Sequence, residues 1–350
     1  MKRALVYNPY WDTRGGGEKY LASVANQLQQ MGWQVTVPWH EPELVKRLQE
    51  RYGQKFDWAK IDTQAAELIR HGTILKKLGY FSQFELIFWL SDGSLPFLTA
   101  KVNLLHFQVP FTQVKGRSWL NQLKLKRISK VICNSQFTKR VIDQEFKVKS
   151  QVLYPPVTQH PPLKKTKTIL TVGRFDNLLH HKRQDVMIQA FKQLNWPDWR
   201  LIVAGGGLKK PTEIYNAMGE IDQKQVQFVY NPSFPELSRL YGQASIYWHA
   251  AGFGEDLAVH PEKAEHFGMT TVEAMSAGAV PLVYAGGGQK EIIMDGVNGR
   301  WWQTPAKLIK LTRLIGANHD LWQALSEKAR IRAKTFSEEV FADGFVQLVR

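Results

Sequence analysis

Two carboxylates eight positions apart, Glu265 and Glu273, bracket the stretch Glu265-His-Phe-Gly-Met-Thr-Thr-Val-Glu273-Ala-Met. On one unbroken helix that separation would set them about 12 Å apart along the axis. The Phe267-Gly268 pair predicts instead a loop that holds Glu265 and a helix whose first turn carries Glu273. The backbone N–H groups of Met269, Thr270 and Thr271 would then be unpaired donors between the two acids. A helix start of this kind attracts phosphate, and flanking carboxylates accept hydrogen bonds from hydroxyls. Phosphate together with hydroxyls describes a nucleotide-sugar. A plainer role is also open, because Thr270-x-x-Glu273 matches a capping box that closes a helix end.

A second group could meet the same ligand. Thr168–Val172 reads as a strand running into Gly173-Arg174, with Lys182 at the start of the next helix. Arg174 offers a planar fork and Lys182 a point charge, and both can reach a diphosphate above a sheet. No Asp-x-Asp occurs in the chain, so the usual carboxylate pair for a divalent cation on such a diphosphate is missing. Fixed cations and a helix start would stabilise the leaving group instead. No His/Cys/Asp/Glu cluster has metal-ligand spacing, so neither metal nor cofactor is expected.

Two weaker signals lie nearer the N-terminus. Gly15-Gly16-Gly17-Glu18-Lys19 opens a helix after the strand that ends in Asn8-Pro9. Glycines there let backbone approach an anion, although the spacing of a dinucleotide fingerprint is absent and a turn without ligand fits equally well. His106 closes the strand Val102–His106. A histidine at a strand's carboxyl end can bond a substrate hydroxyl or move a proton, and it can equally be structural.

These residues need a frame, and the pattern of the chain supplies one. Strands are expected at Arg3–Tyr7, Gln34–Val37, Phe84–Trp89, Val102–His106, Lys130–Asn134 and Gln151–Tyr154, with helices between them, including Gly17–Met31. That alternation predicts a parallel sheet. Residues 154–165 hold four prolines and no periodicity, which marks a domain linker. A second alternation follows, with strands at Thr168–Val172, Arg200–Ala204, Val226–Phe228, Ile246–His249 and Val280–Tyr284. Its helices include His181–Gln193, Pro235–Gln243, Thr270–Ala277 and two segments within Pro305–Lys334. Ser337-x-Glu-Glu caps a last helix. Two doubly wound sheets facing a cleft, lined by the carboxyl ends of their strands, are the expected architecture.

Composition narrows the setting. The chain has 350 residues, enough for two domains of about 150 residues. The single cysteine, Cys133, excludes an internal disulfide, fits a reducing cytoplasm and reads as a buried strand residue in Val131-Ile132-Cys133. Neither a secretory signal nor a membrane-spanning run is visible. A formal charge of +15 calls for an anionic partner or surface. Residues 101–150 hold eleven Lys/Arg against Asp143 and Glu145, and Ser118–Lys130 reads as a basic amphipathic helix with Trp119, Leu120, Leu123 and Ile128 apolar. Such a helix can lie on an anionic lipid surface, each basic residue adding ~1 kcal/mol near it. The alternative is an ordinary helix that packs its apolar stripe on the sheet, the favoured reading for that face, while the charges fit solvent and membrane contact equally.

Taken together, the motifs resemble retaining glycosyltransferases of the GT-B fold, glycosyltransferase family 4, over nearly the whole chain. The resemblance rests on Gly15-Gly16-Gly17-Glu18, His106, Val131-Ile-Cys-Asn-Ser-Gln-Phe-Thr138, Val152-Leu-Tyr-Pro-Pro-Val157 and Gly173-Arg174 with Lys182. It continues through Glu265-x7-Glu273-Ala-Met, Gly278-x-x-Pro281 and Gly286-Gly287-Gly288-x-x-Glu291-Ile292. It implies that Glu273 holds the ribose hydroxyls and Glu265 the hydroxyls of the donor sugar, with Gly268, Met269 and Thr270 placing backbone donors. It further implies that Arg174 and Lys182 bind the diphosphate, Gly16 and Gly17 face the phosphate, and His106 touches the transferred sugar. Retention of configuration, by front-face transfer without a protein nucleophile, is likewise implied. Two departures, the long segment His249–Ala264 and His266 after the first glutamate, are similar to the branch that includes eukaryotic lipid-linked mannosyltransferases, and they leave the donor open.

The resulting expectation is a metal-independent transferase moving a hexose from a GDP- or UDP-linked donor to a hydroxyl of a glycan or lipid-linked acceptor. A sugar-nucleotide epimerase of the same fold and a non-catalytic nucleotide-sugar-binding protein are the alternatives. The expected domains are residues 1–157 on the acceptor side, 158–335 on the donor side, and a helix at 336–350 crossing back to the first. The expected location is the cytoplasm, with membrane contact through residues 115–149 as an open addition and no nucleic acid as partner.

Overall fold

The computed structural model describes residues 1–12, 15–56, 60–175, 182–207, 222 and 224–349. The chain divides into two units, Met1–Pro156 with Glu339–Arg350, and Val157–Glu338.

Among the described residues, the first unit is built on Arg3–Tyr7 (β1), Gln34–Pro38 (β2), Lys60–Asp62 (β3), Leu86–Leu90 (β4), Val102–Phe107 (β5), Lys130–Cys133 (β6) and Gln151–Val152 (β7). They form one parallel sheet in the order β3-β2-β1-β4-β5-β6-β7. Leu-Ile-Phe-Trp-Leu of β4 is buried throughout, as a strand covered on both faces requires. The helix Gly16–Gln30 packs Tyr20, Leu21, Val24 and Leu28 into the core. The last helix, Glu338–Val349, adds Phe341, Phe345 and Leu348 to that same core. Burying such side chains contributes roughly 1.5–3 kcal/mol each. Lys130 Nζ also donates to Leu348 O at 2.6 Å.

The second unit is built on Thr166–Val172 (β8), Arg200–Gly205 (β9), Val226–Tyr230 (β10), Ala244–His249 (β11), Val280–Tyr284 (β12) and Arg300–Trp302 (β13). These strands are also parallel, in the order β10-β9-β8-β11-β12-β13. Strand order reverses between β8 and β11, and ligands of doubly wound sheets bind outside the carboxyl ends of the strands at such a reversal.

Several expectations change. The helix expected over Ser118–Lys130 is only Trp119–Leu125, capped by the Ser118 side chain, and none of its residues is buried. Trp119 (78% exposed), Leu120 (40%) and Leu123 (44%) stand free, so these three residues of the expected stripe do not pack on the sheet. Leu125 and Ile128 alone of this segment join the core beneath. Residues 157–163 are no loose tether. The amide of Val157 donates to Phe336 O, that of Leu163 to Gly242 O and that of His160 to Ser276 Oγ, which binds this proline-rich stretch into the second unit. The helix expected from His181 begins at Gln184 within the described residues, and His181 lies outside them. Lys60–Asp62, Arg300–Trp302 and the short helix Gln289–Ile292 were not legible, each being too brief to show a period. Cys133 is buried and its thiol is pushed up to about 12 by that burial, which suits a strand residue and no nucleophile.

Candidate active site

At the carboxyl end of β8 the chain turns through Gly173 and Arg174. A Cβ at Gly173 would lie 2.9 Å from Lys182 Cγ, so glycine leaves room for the lysine stem to cross the strand end. Gly205 serves the same turn, because a Cβ there would stand 1.8 Å from the Gly173 carbonyl oxygen. Arg174 is exposed, and its carbonyl accepts from Gln184 Nε2 at 3.2 Å. Arg183, in the left-handed region at φ +49°, pairs with both oxygens of Asp185 and lies over the Phe253 ring.

Lys182 Nζ lies 2.6 Å from Glu265 Oε2. A third residue, His249 at the end of β11, places Nε2 2.6 Å from the same oxygen. Burial alone would raise the Glu265 carboxyl. The Lys182 charge and the His249 hydrogen bond overcome it and hold the group well below the usual carboxylate range. Burial pushes the His249 ring below its ordinary value against the pull of Glu265, so the ring is neutral and donates through Nε2–H.

The seat of Glu265 explains the triple glycine. The Gly288 amide donates to Glu265 O at 2.7 Å. A Cβ at Gly287 (φ +58°) would lie 2.2 Å from that carbonyl oxygen, and one at Gly288 would lie 2.5 Å from His266 O. The Gly286-Gly287-Gly288 loop therefore packs directly on the backbone that presents the carboxylate.

The helix Met269–Ser276 begins beside it. Gly268 is its N-cap, at φ +116°, where a Cβ would stand 2.6 Å from Gln289 Nε2. Two expectations are corrected here. The cap falls two residues before Thr270, so Thr270-x-x-Glu273 is not a capping box, and Glu273 is the fifth helical residue, in the second turn. The Thr271 amide returns to Gly268 O at 3.0 Å, which leaves Met269 and Thr270 as the amides that precede the helical ladder. Two tyrosines orient the polar side chains. Tyr247 Oη donates to Thr270 Oγ1 and Tyr241 Oη to Glu273 Oε2, each at 2.8 Å.

The first unit treats its two candidates differently. Gly16 opens the helix Gly16–Gln30 with no side-chain cap, and a Cβ at Gly17 would meet Gln108 Oε1 at 2.5 Å. This is a second glycine-lined helix start. His106, by contrast, is fully buried. Its ring stacks on Tyr20 at 4.1 Å, its Nδ1 faces Ile132 O at 3.2 Å, and burial pushes it down to about 3. It is a neutral histidine packed within the unit. β5 runs one residue further, to Phe107, and His106 shares the face of Leu104, which looks into the core.

Sequence reasoning thus brought Arg174, Lys182, Glu265, Gly268, Met269, Thr270 and Glu273 to one end of the second sheet, and it did not name His249, Tyr241 or Tyr247 as their partners. For His249 a signal existed: it ends a strand at the reversal of strand order. The tyrosines gave none, because each also completes an apolar face. Among the described residues, no group of three or more His, Cys, Asp or Glu is placed to hold a metal ion, and no helix is long and apolar enough to cross a membrane.

The fold and this cluster define a class of protein. Residues 158–332, half of the chain, match the model of the glycosyl transferases group 1, and the chain belongs to that family. It is 27% identical over 231 residues to an uncharacterized glycosyltransferase of Methanocaldococcus jannaschii, covering 65% of this chain and 60% of that protein. It is 32% identical over 205 residues to the D-inositol 3-phosphate glycosyltransferase of Mycobacterium marinum, covering 53% of this chain and 38% of that one. The chain therefore spans less than two thirds of the length of these relatives. In fold it is similar to a glycosyltransferase from Rickettsia africae, with TM-score 0.76, 18% identity and 99% and 97% of the two chains covered. It is likewise similar to Anabaena Alr3699/HepE in complex with UDP-glucose, with TM-score 0.74, 16% identity and 100% and 99% covered. The two parallel sheets are those of GT-B glycosyltransferases.

Proposed function

We propose that the chain is a retaining hexosyltransferase that moves a sugar from a UDP- or GDP-linked donor to a hydroxyl of a glycan or lipid-linked acceptor, without a metal ion. The observation that carries this reading is the Lys182–Glu265–His249 cluster beside the start of the helix Met269–Ser276, at the reversal of strand order. Arg174 and Lys182 bind the diphosphate, and the Met269 and Thr270 amides add donors. Glu265 accepts from sugar hydroxyls and Glu273, oriented by Tyr241, from the ribose. The bond from the anomeric carbon to phosphate breaks as the bond to the acceptor oxygen forms on the same face. The departing phosphate takes the acceptor's proton, so no protein nucleophile is needed. A structural neighbour that holds UDP-glucose supports the donor class.

The reading includes contact with an anionic membrane through residues 115–149, which suits a lipid-linked acceptor. It is supported by Trp119, Leu120 and Leu123 standing exposed on a short helix amid basic residues.

A thermal-shift panel of UDP-glucose, UDP-N-acetylglucosamine and GDP-mannose tests the donor, since a specific ligand raises apparent stability with concentration. Arg174→Ala and Glu273→Ala are expected to abolish turnover of the responding donor with the fold intact, and EDTA to leave turnover unchanged. Full activity in both variants, or strict dependence on added Mg²⁺ or Mn²⁺, overturns the assignment.

A further inference from the structure

We propose that His249 is the positioning residue of this site, fixing one oxygen of Glu265 so that the other is presented to a hydroxyl of the donor sugar. The inference rests on the donor-binding reading above and adds to it a division of labour between the two partners of Glu265.

Both donors land on one atom. Lys182 Nζ and His249 Nε2 each lie 2.6 Å from Oε2, and among the described residues Oε1 accepts no hydrogen bond. An ionised carboxylate has lone pairs on both oxygens, so this arrangement saturates one side and leaves the other for an incoming hydroxyl. The two partners differ in freedom. His249 is 3% exposed and its backbone is registered against Val283 in β12, whereas Lys182 is 29% exposed on a four-carbon stem. A lysine that turns toward a diphosphate loosens its hold on Glu265, and the histidine does not move with it.

The histidine also carries a cost that packing alone does not explain. Its Nδ1 is buried without a hydrogen-bond partner among the described residues. An apolar ring would fill the same space with no unpaired acceptor, so the Nε2–H is what the position requires. The groups facing Glu265 are Lys182, His249 and the Tyr247 hydroxyl on β11, while the glycine loop beneath it brings no charge. Removing the histidine leaves Lys182 as the strong holder of the charge.

The test compares the full chain with His249→Gln, which returns an amide N–H near the Nε2 position, and with His249→Asn and His249→Ala, which do not. Two readouts are taken: affinity for UDP and for UDP-glucose by calorimetry from pH 4.5 to 8, and a double-mutant cycle of unfolding with Glu265→Gln. Affinity for UDP-glucose is expected to fall at least tenfold in the Asn and Ala variants, with its acid limb moved to higher pH, and to recover in the Gln variant. UDP affinity is expected to hold within threefold throughout. The cycle is expected to show coupling between positions 249 and 265 without ligand. Equal UDP-glucose affinity and an unmoved acid limb in His249→Asn overturn the inference, as does equal loss in the Gln and Asn variants. Coupling in the cycle with no nucleotide-sugar bound by the unaltered chain overturns the donor-binding reading, and the role of Oε1 falls with it.

Discussion

The Lys182 ammonium and the Glu265 carboxylate, 83 positions apart in sequence, meet at 2.6 Å because Gly173 has no side chain to keep the lysine stem off the end of β8. Removing one partner of a largely buried pair strands the other. Lys182→Met is expected to cost about 2 kcal/mol, discounted from the fully buried case because Lys182 is partly exposed. A carboxyl held below its ordinary value adds stability above that value and loses it as pH falls through the depressed one. With one holder gone, the loss should begin at higher pH. Urea unfolding at pH 7 and pH 4.5 checks both parts, and an unchanged acid response would sink the second.

Gly288 is expected to be a sensitive glycine for donor binding. A methyl there would sit 2.5 Å from His266 O and push the Glu265 segment outward. Gly288→Ala should lower stability by roughly 1–3 kcal/mol, the usual cost of overpacking. It should also weaken nucleotide-sugar binding more than it weakens binding of the free nucleotide. Calorimetric titration of the two ligands distinguishes this from a general loss of fold.

His106 makes the first unit acid-sensitive. The unfolded chain takes up a proton on this ring below its ordinary value of 6.5, whereas the folded ring stays neutral down to about 3. Between those values the unfolded state binds more protons, so stability falls as pH falls, by about 5 kcal/mol across the window. His106→Phe should flatten that slope while keeping the ring stacked near Tyr20. Denaturant midpoints at pH 7, 5 and 4 measure it, and an identical slope in the variant would show that other groups carry the effect.

The free face of the helix Trp119–Leu125 gives a prediction outside the site. Co-sedimentation with phosphatidylglycerol vesicles should drop at least tenfold in the double variant Trp119→Ala, Leu123→Ala, and should weaken in 0.5 M salt. Vesicles of phosphatidylcholine should bind poorly. Equal binding to both lipids would remove the membrane contact from the proposed function.

Much of this was legible in the sequence, and the reasons are local. Except for the three-residue strands Lys60–Asp62 and Arg300–Trp302, the strands of both sheets are apolar runs bounded by glycine and polar turns, so they fell within a residue or two of their observed ends. Glu265, Gly268 and Glu273 share one short stretch, so their proximity needs no knowledge of the fold. Lys182 and Arg174 were placed by one further rule, that ligands gather at strand ends. The same rule set His106 at a strand end, whereas β5 runs on to Phe107 and the histidine is buried. It was not pressed at His249, whose partner lies across a loop. The exposed stripe at Trp119 was beyond reach for another reason. Amphipathic spacing shows that a helix has an apolar face, and only the packing of neighbouring elements shows whether that face is covered.

The helix Glu338–Val349 has a consequence for how the molecule is made. Its Phe341 and Phe345 complete the interior around Tyr20 and Phe88, so the polypeptide leaving the ribosome first is finished by a segment leaving it more than three hundred residues later. The later half can consolidate as soon as it is synthesised, while the earlier half waits with an open apolar gap, and that interval is when chaperones would have most to hold.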